Sequence, residues 1–283
     1  YPDMLKNKND EINFENIMTS ELYKVNLDGT ATLYKTAAMY AGESFSPDGN
    51  YLMLTTLQKP FSYIVPLSRF PSKSVIYDKD GNEIKVVNEV PLTEIIPKGF
   101  MAVRKGKRNM SWRADKPATL IYAEALDGGD PAKKVEFRDE VFLWNAPFNA
   151  AATSLVKTPQ RYSGIIWGND NTAIVSDEWY DTRNTKTYLI NPSNPTEAPK
   201  VIFDRNSQDV YADPGDFETR KNEYNRNVLA IENGNAYLVG QGFTKNGQFP
   251  FISEFNLKTA QAKRLYTSAY TDKKEDILEI EDF

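Results

Sequence analysis

The sequence predicts an all-β fold. Short stretches rich in Tyr, Phe, Val, Ile and Thr recur between clusters of Asp, Asn, Gly and Pro, which is strand-and-turn composition. Amphipathic runs of helical period are scarce. A strand–turn–strand–turn–strand unit repeats four times at a spacing of roughly 45–65 residues, as blades of four antiparallel strands would. These observations predict a β-propeller with about four full blades and a partial blade at each end. The alternative is a β-sandwich with irregular loops; the overlay of turn chemistry argues against it.

Taken in order, residues 21–34 read as a hairpin equivalent to the second and third strands of a blade whose inner strands would precede Tyr1. The first full unit opens at Ser46-Pro47-Asp48-Gly49-Asn50, where Pro sets φ and Gly accepts positive φ. It leads into a strand at 51–56, followed by strands at 62–67 and 74–78. The second runs from Trp112-Arg113-Ala114-Asp115 into 118–123, then 140–145 and 153–157. The third passes from Trp167-Gly168-Asn169-Asp170 into 172–177, 186–191 and 200–204. The fourth turns at Asn233-Gly234 into 236–240, 250–256 and 263–266. Trp112 and Trp167 fall at the same place in the overlay. Residues 276–283 read as the opening of a further blade, so the expectation is a segment of a larger ring.

Composition narrows the function. With 283 residues, 40% of them hydrophobic, the chain can bury a sizeable core. The net charge of −5 is made of interspersed signs and offers no field for a phosphate backbone. No apolar run approaches the roughly 20 residues of a membrane helix. The expected partners therefore include neither nucleic acid nor membrane. Having no Cys and no His, the chain lacks thiolate nucleophiles, imidazole metal ligands and any histidine-dependent triad. No cofactor, metal or catalytic residue is expected.

Motifs mostly reduce to turns. Gly42-Glu43-Ser44-Phe45-Ser46 lacks the second glycine of a nucleophile elbow. Asp78-Lys79-Asp80-Gly81-Asn82-Glu83 places its glycine too early for a calcium loop and reads as a tight hairpin. Asp127-Gly128-Gly129-Asp130-Pro131 could hold a cation, but a plain turn is the simpler reading. Arg104, Lys105, Lys107 and Arg108 pack four positive charges into one loop, which would attract an acidic side chain or a carboxylate if it is more than solvated surface. Arg69, Arg138 and Arg183 are further candidates, since arginine supplies a fork of donors. Trp144 and Trp179 could stack on a sugar or peptide, or simply pack between sheets.

Several strings carry a resemblance. They are Tyr63-Ile64-Val65-Pro66-Leu67-Ser68-Arg69-Phe70-Pro71, the basic loop followed by Asn109-Met110-Ser111-Trp112-Arg113-Ala114-Asp115-Lys116-Pro117, Glu124-Ala125-Leu126-Asp127-Gly128-Gly129-Asp130, Glu178-Trp179-Tyr180-Asp181-Thr182-Arg183, and the run from Phe203-Asp204-Arg205-Asn206 to Pro214-Gly215. Together they resemble the propeller of the glutamyl endopeptidase branch of the prolyl oligopeptidase family. The resemblance implies a propeller, residues 1–283, that precedes an α/β-hydrolase domain and gates a serine nucleophile cutting after glutamate. The hydrolase domain and a peptide substrate are then the implied partners, and a periplasmic or secreted home is favoured. No catalytic residue carries over, because this chain has neither the elbow nor a histidine. A stand-alone propeller scaffold for a peptide or protein is the competing reading, and a glycosidase using channel carboxylates is a third.

Overall fold

Where apolar side chains alternate along the chain, it pairs as antiparallel strands with its nearest sequence neighbours. The structure is a computed structural model describing residues 4–278 and 280. It opens with one helix, α1 (Lys8–Met18). The first sheet follows as β1 (Thr19–Val25), β2 (Ala31–Phe45), β3 (Tyr51–Leu57), β4 (Ser72–Asp78) and β5 (Glu83–Val90), hydrogen-bonded in that order. The second sheet is β6 (Arg108–Trp112), β7 (Thr119–Ala125), β8 (Asp139–Asn145) and β9 (Thr153–Thr158). The third is β10 (Arg161–Asn169), β11 (Thr172–Trp179), β12 (Asn184–Ile190) and β13 (Lys200–Asn206). In the remaining segment β14 (Asp216–Phe217) precedes a small hairpin, β15 (Thr219–Lys221) with β16 (Asn227–Leu229). β17 (Asn235–Gly240) precedes another, β18 (Phe243–Thr244) with β19 (Gly247–Gln248). With β20 (Phe251–Asn256) and β21 (Gln261–Thr267), the fourth sheet runs β14-β17-β20-β21. Four-stranded antiparallel meanders of this kind are the blades of a β-propeller, and the all-β expectation holds.

The chain divides into two compact units, Tyr1–Lys133 with Phe142–Thr153 and Lys134–Val141 with Ser154–Phe283. In the first, Met53, Ile76, Val87, Trp112, Leu120, Tyr122, Trp144 and Phe148 form one cluster. Phe148, fully buried, meets Tyr51 at 5.7 Å and Trp144 at 5.9 Å, both edge to face, the arrangement that suits the ring quadrupoles. Trp112 spans the cluster and donates its indole N–H to the Ser44 carbonyl at 3.0 Å. In the second unit Ile174, Leu229 and Ala236 are buried among Ile166, Leu189 and Phe217. There Phe255 lies 5.7 Å from Phe203 and 5.5 Å from Phe217.

The turn chemistry is as expected. At the first blade turn Asp48 Oδ1 accepts from Ser46 Oγ at 2.6 Å and from the Asn50 amide at 3.0 Å, with Gly49 at φ 72°. Residues 78–83 form the tight hairpin between β4 and β5, where Asp78 Oδ1 accepts two backbone amides at 2.9 Å.

The structure corrects four readings. The strands at 51–56, 118–123, 172–177 and 236–240 are not the first of their blades. The first three follow earlier strands that hold Phe45, Trp112 and Trp167, and the fourth pairs with β14 ahead of it. Residues 62–67 form a loop running into a 3-10 turn, Leu67–Arg69, rather than a strand. Pro60 and Pro66 bracket the stretch and withhold two ladder donors. Val65 is instead buried in a cluster with Leu57 and Phe70, where Phe14 of α1 packs on the flanking Phe61 at 5.2 Å and Phe70 at 5.9 Å. The helix itself lies outside the all-strand reading, although Asn7 accepts from the amides of Asn9 and Asp10 as an N-cap. Finally, the hairpin at 21–34 is continuous with the first sheet, because β2 runs for 15 residues and pairs with β1 and then β3. Of the expected terminal blade at 276–283, residues 279 and 281–283 lie outside the described residues, and 274–278 carry no strand.

Candidate functional site

The basic loop between β5 and β6 separates into two pairs. Lys107 is tied inward: its ammonium donates to the Val87 carbonyl at 2.8 Å and stands 4.4 Å above Trp144 and 5.2 Å from Tyr122. Such cation–π seating holds a lysine where a hydrophobic cluster would otherwise be interrupted. Arg108, at the start of β6, is 9% exposed. Neither side chain reaches outward. Arg104 and Lys105, by contrast, line a cleft of about 510 Å³ whose other wall is the segment from Pro91 to Pro97.

Gly106, at φ 80°, turns the loop, and the Arg104 guanidinium is aimed by bonds to the carbonyls of Lys105 (3.1 Å) and Lys107. Among the described residues it pairs with no carboxylate. Burial, and after it the charge of Arg108, pull its pKa below the ordinary arginine value. A partly desolvated cation that forms no ion pair among the described residues favours an anionic ligand. The floor comes from the Asp127–Asp130 turn. Gly129 takes φ 81°, its carbonyl accepts from the Val103 amide at 3.1 Å, and a Cβ there would lie 1.9 Å from the Val103 oxygen. Asp127 is buried and accepts the Gly129 amide at 2.8 Å, so this turn is structural. The apolar wall includes Leu92, Ile95 and Ile96. Glu94 also lines the cleft, its carboxylate bonded by Ser62 Oγ at 2.7 Å.

Of the other sequence candidates, Arg69 meets this group through backbone alone. Arg69 closes the 3-10 turn, and its carbonyl accepts from the Thr93 amide at 3.0 Å. In the second unit Arg138 stacks on Trp179 at 3.9 Å and Arg183, at φ 56°, on Tyr180 at 3.6 Å. Both tryptophans raised as stacking platforms are thus covered by a cation of their own chain.

Sequence reasoning missed the buried polar groups of the second unit. Asp139 and Arg161 are nearly inaccessible and pair at 3.0 Å, while Asp139 Oδ2 accepts the Tyr162 amide at 3.0 Å. Asp177, fully buried, accepts the Gln160 amide and the Tyr188 hydroxyl on Oδ2, both at 3.0 Å, and Gln160 Nε2 on Oδ1 at 3.3 Å. Burial pushes its pKa up to about 6. A signal was present. Ala173, Val175 and Asp177 alternate on one face of β11, and the third of a buried period-two series is a carboxylate.

No protein-family model matches the chain. Among curated proteins, the probable chloroplastic glutamyl endopeptidase of Oryza sativa subsp. japonica is 38% identical over 275 residues, and that of Arabidopsis thaliana 38% over 276. Each match covers 95% of this chain but only 29% of the relative. Among solved structures, the β-propeller domain of the Trilobed protease from Pyrococcus furiosus matches with a TM-score of 0.46 at 12% identity, over 87% of this chain and 64% of that one.

Proposed function

We propose that this chain is the propeller part of a glutamyl endopeptidase-like serine peptidase, where it limits access to the nucleophile and helps select acidic substrate. Its similarity to two probable glutamyl endopeptidases over 95% of its length supports the peptidase context. The observation that carries the recognition role is Arg104, half-buried beside Lys105 in the Pro91–Pro97 cleft without a carboxylate of its own among the described residues. A glutamyl side chain or peptide carboxylate supplies the missing charge, and Leu92, Ile95 and Ile96 offer apolar surface to its methylenes. Of the four loop cations, the two that reach the cleft are the binding candidates; Lys107 and Arg108 build the blade that holds them.

The test uses the whole natural polypeptide and paired peptides differing only by Glu or Gln at the cleaved position. R104A/K105A is expected to lower kcat/KM for the Glu peptide by roughly ten- to a hundredfold, as loss of charge-assisted bonds predicts, and to leave the Gln peptide little changed. Equal ratios in wild type and variant overturn the site. A wild-type polypeptide that cleaves neither peptide overturns the peptidase reading, and a peptide-binding scaffold then becomes the better account.

A further inference from the structure

The wall of the Arg104 cleft formed by residues 91–97 carries neither strand nor helix. Lacking a ladder, it is held by the loop at 58–70. The Thr93 amide donates to the Arg69 carbonyl at 3.0 Å, Glu94 accepts from Ser62 Oγ at 2.7 Å, and Leu92 packs on the cluster of Leu57, Val65 and Phe70. Both of the wall's hydrogen bonds to other segments, among the described residues, thus end on that loop. The same loop receives α1. Phe14 meets Phe61 at 5.2 Å and Phe70 at 5.9 Å, edge to face on two rings that are themselves stacked at 5.3 Å. Glu11 accepts from the Tyr63 hydroxyl at 2.6 Å, and Glu15 pairs with Lys59 at 2.7 Å. Phe14 and Leu92 pack on one and the same cluster. No residue of α1 is itself buried, so the helix can lift without opening a sheet.

A cleft wall with no ladder of its own keeps its shape through the loop that holds it. We propose that docking of α1 on the 58–70 loop holds the apolar wall of the Arg104 cleft in place, with Phe14 as the positioning residue, so that lifting α1 weakens the hold on substrate. The effect falls on Leu92, Ile95 and Ile96, which offer apolar surface to methylenes that Glu and Gln share. Charge recognition by Arg104 and Lys105 is left as it was. The coupling is reciprocal, so substrate in the cleft steadies α1. This role of α1 rests on the cleft being the substrate site proposed above.

Hydrogen exchange at the Thr93 amide reads the wall without any peptide. F14A is expected to speed it roughly tenfold, while the amides of β7, in the Trp112 cluster, exchange as in wild type. The exposed reversal K59E, which sets two carboxylates against each other, should speed it by about two- to fivefold, and E15K/K59E should restore it. In the whole natural polypeptide F14A should raise KM roughly five- to tenfold for the Glu and the Gln peptide alike, the low end for coupled sites, with kcat little changed. Thr93 exchange that neither F14A nor K59E alters overturns the proposal. So does faster exchange with KM unchanged for both peptides, or raised for the Glu peptide alone. Failure of the Arg104 reading looks different: R104A/K105A then leaves the Glu-to-Gln ratio at its wild-type value, a ratio that F14A does not enter. If the wild-type polypeptide cleaves neither peptide, the substrate role of α1 falls with the peptidase reading, and exchange still decides whether α1 holds the wall.

Discussion

Replacing Asp177 by asparagine removes a buried charge while leaving a side chain of the same shape, and its effect has a sign that depends on pH. The folded pKa is about 6 against an ordinary 3.8. Between those values the native state holds a proton that the unfolded chain has released, so stability falls as pH rises through the window. The cost is complete above about pH 6. Roughly two pKa units correspond to ~3 kcal/mol, and no cation offsets it by direct pairing: the Lys186 charge acts through its field and its backbone amide adds a hydrogen bond, and both lower the pKa less than burial raises it. The introduced carboxamide can keep an oxygen at the Oδ2 position for the Gln160 amide and the Tyr188 hydroxyl. Its NH2 group then faces Gln160 Nε2, which already donates to Asn184 Oδ1 at 2.6 Å, so one bond worth ~1 kcal/mol is lost. D177N is therefore expected to be about 2 kcal/mol more stable than wild type at pH 7.5 and about 1 kcal/mol less stable at pH 3. Urea unfolding of both proteins across that range gives the difference, in which other titrating groups cancel; Trp167 and Trp179 report from the same sheet. A difference that stays constant with pH refutes the reasoning.

Two further substitutions follow from the same geometry. D139A leaves Arg161 buried without its carboxylate and frees the Tyr162 amide; a loss of about 3–5 kcal/mol is expected, read as a lowered urea midpoint. G129A places a Cβ against the Val103 oxygen at φ 81° and costs at least ~1–2 kcal/mol from backbone conformation alone. At Gly128 the nearest atoms are the movable ends of Lys133 and Lys105, so G128A should lower the melting temperature less than G129A does. Equal shifts would mean that the Val103 contact does not decide the effect.

The blade meander was legible because its signals are local. A Ser-Pro-Asp-Gly-Asn turn, the Asn233-Gly234 turn and the hairpin glycine at 81 each act within a few residues, and sheets built from sequence neighbours need little more. The loop at 62–67 resembles a strand in sequence because Tyr63, Ile64 and Val65 carry β-type side chains; only the arrival of Phe14 from α1 shows what the apolar surface there is for. The basic loop teaches the same lesson at the level of charge. The sequence alone determined that four cations crowd residues 104–108 and that no histidine or cysteine is present to do chemistry. Only the tertiary structure decided which two of the four turn inward, and for Lys107 that choice belongs to Val87 and Trp144, one of them 20 positions before it and the other 37 after it. The same holds for Asp177, whose perturbed proton depends on Gln160 and Tyr188 closing over it. Composition names the charged groups, but burial and the partners brought from distant strands set their energies.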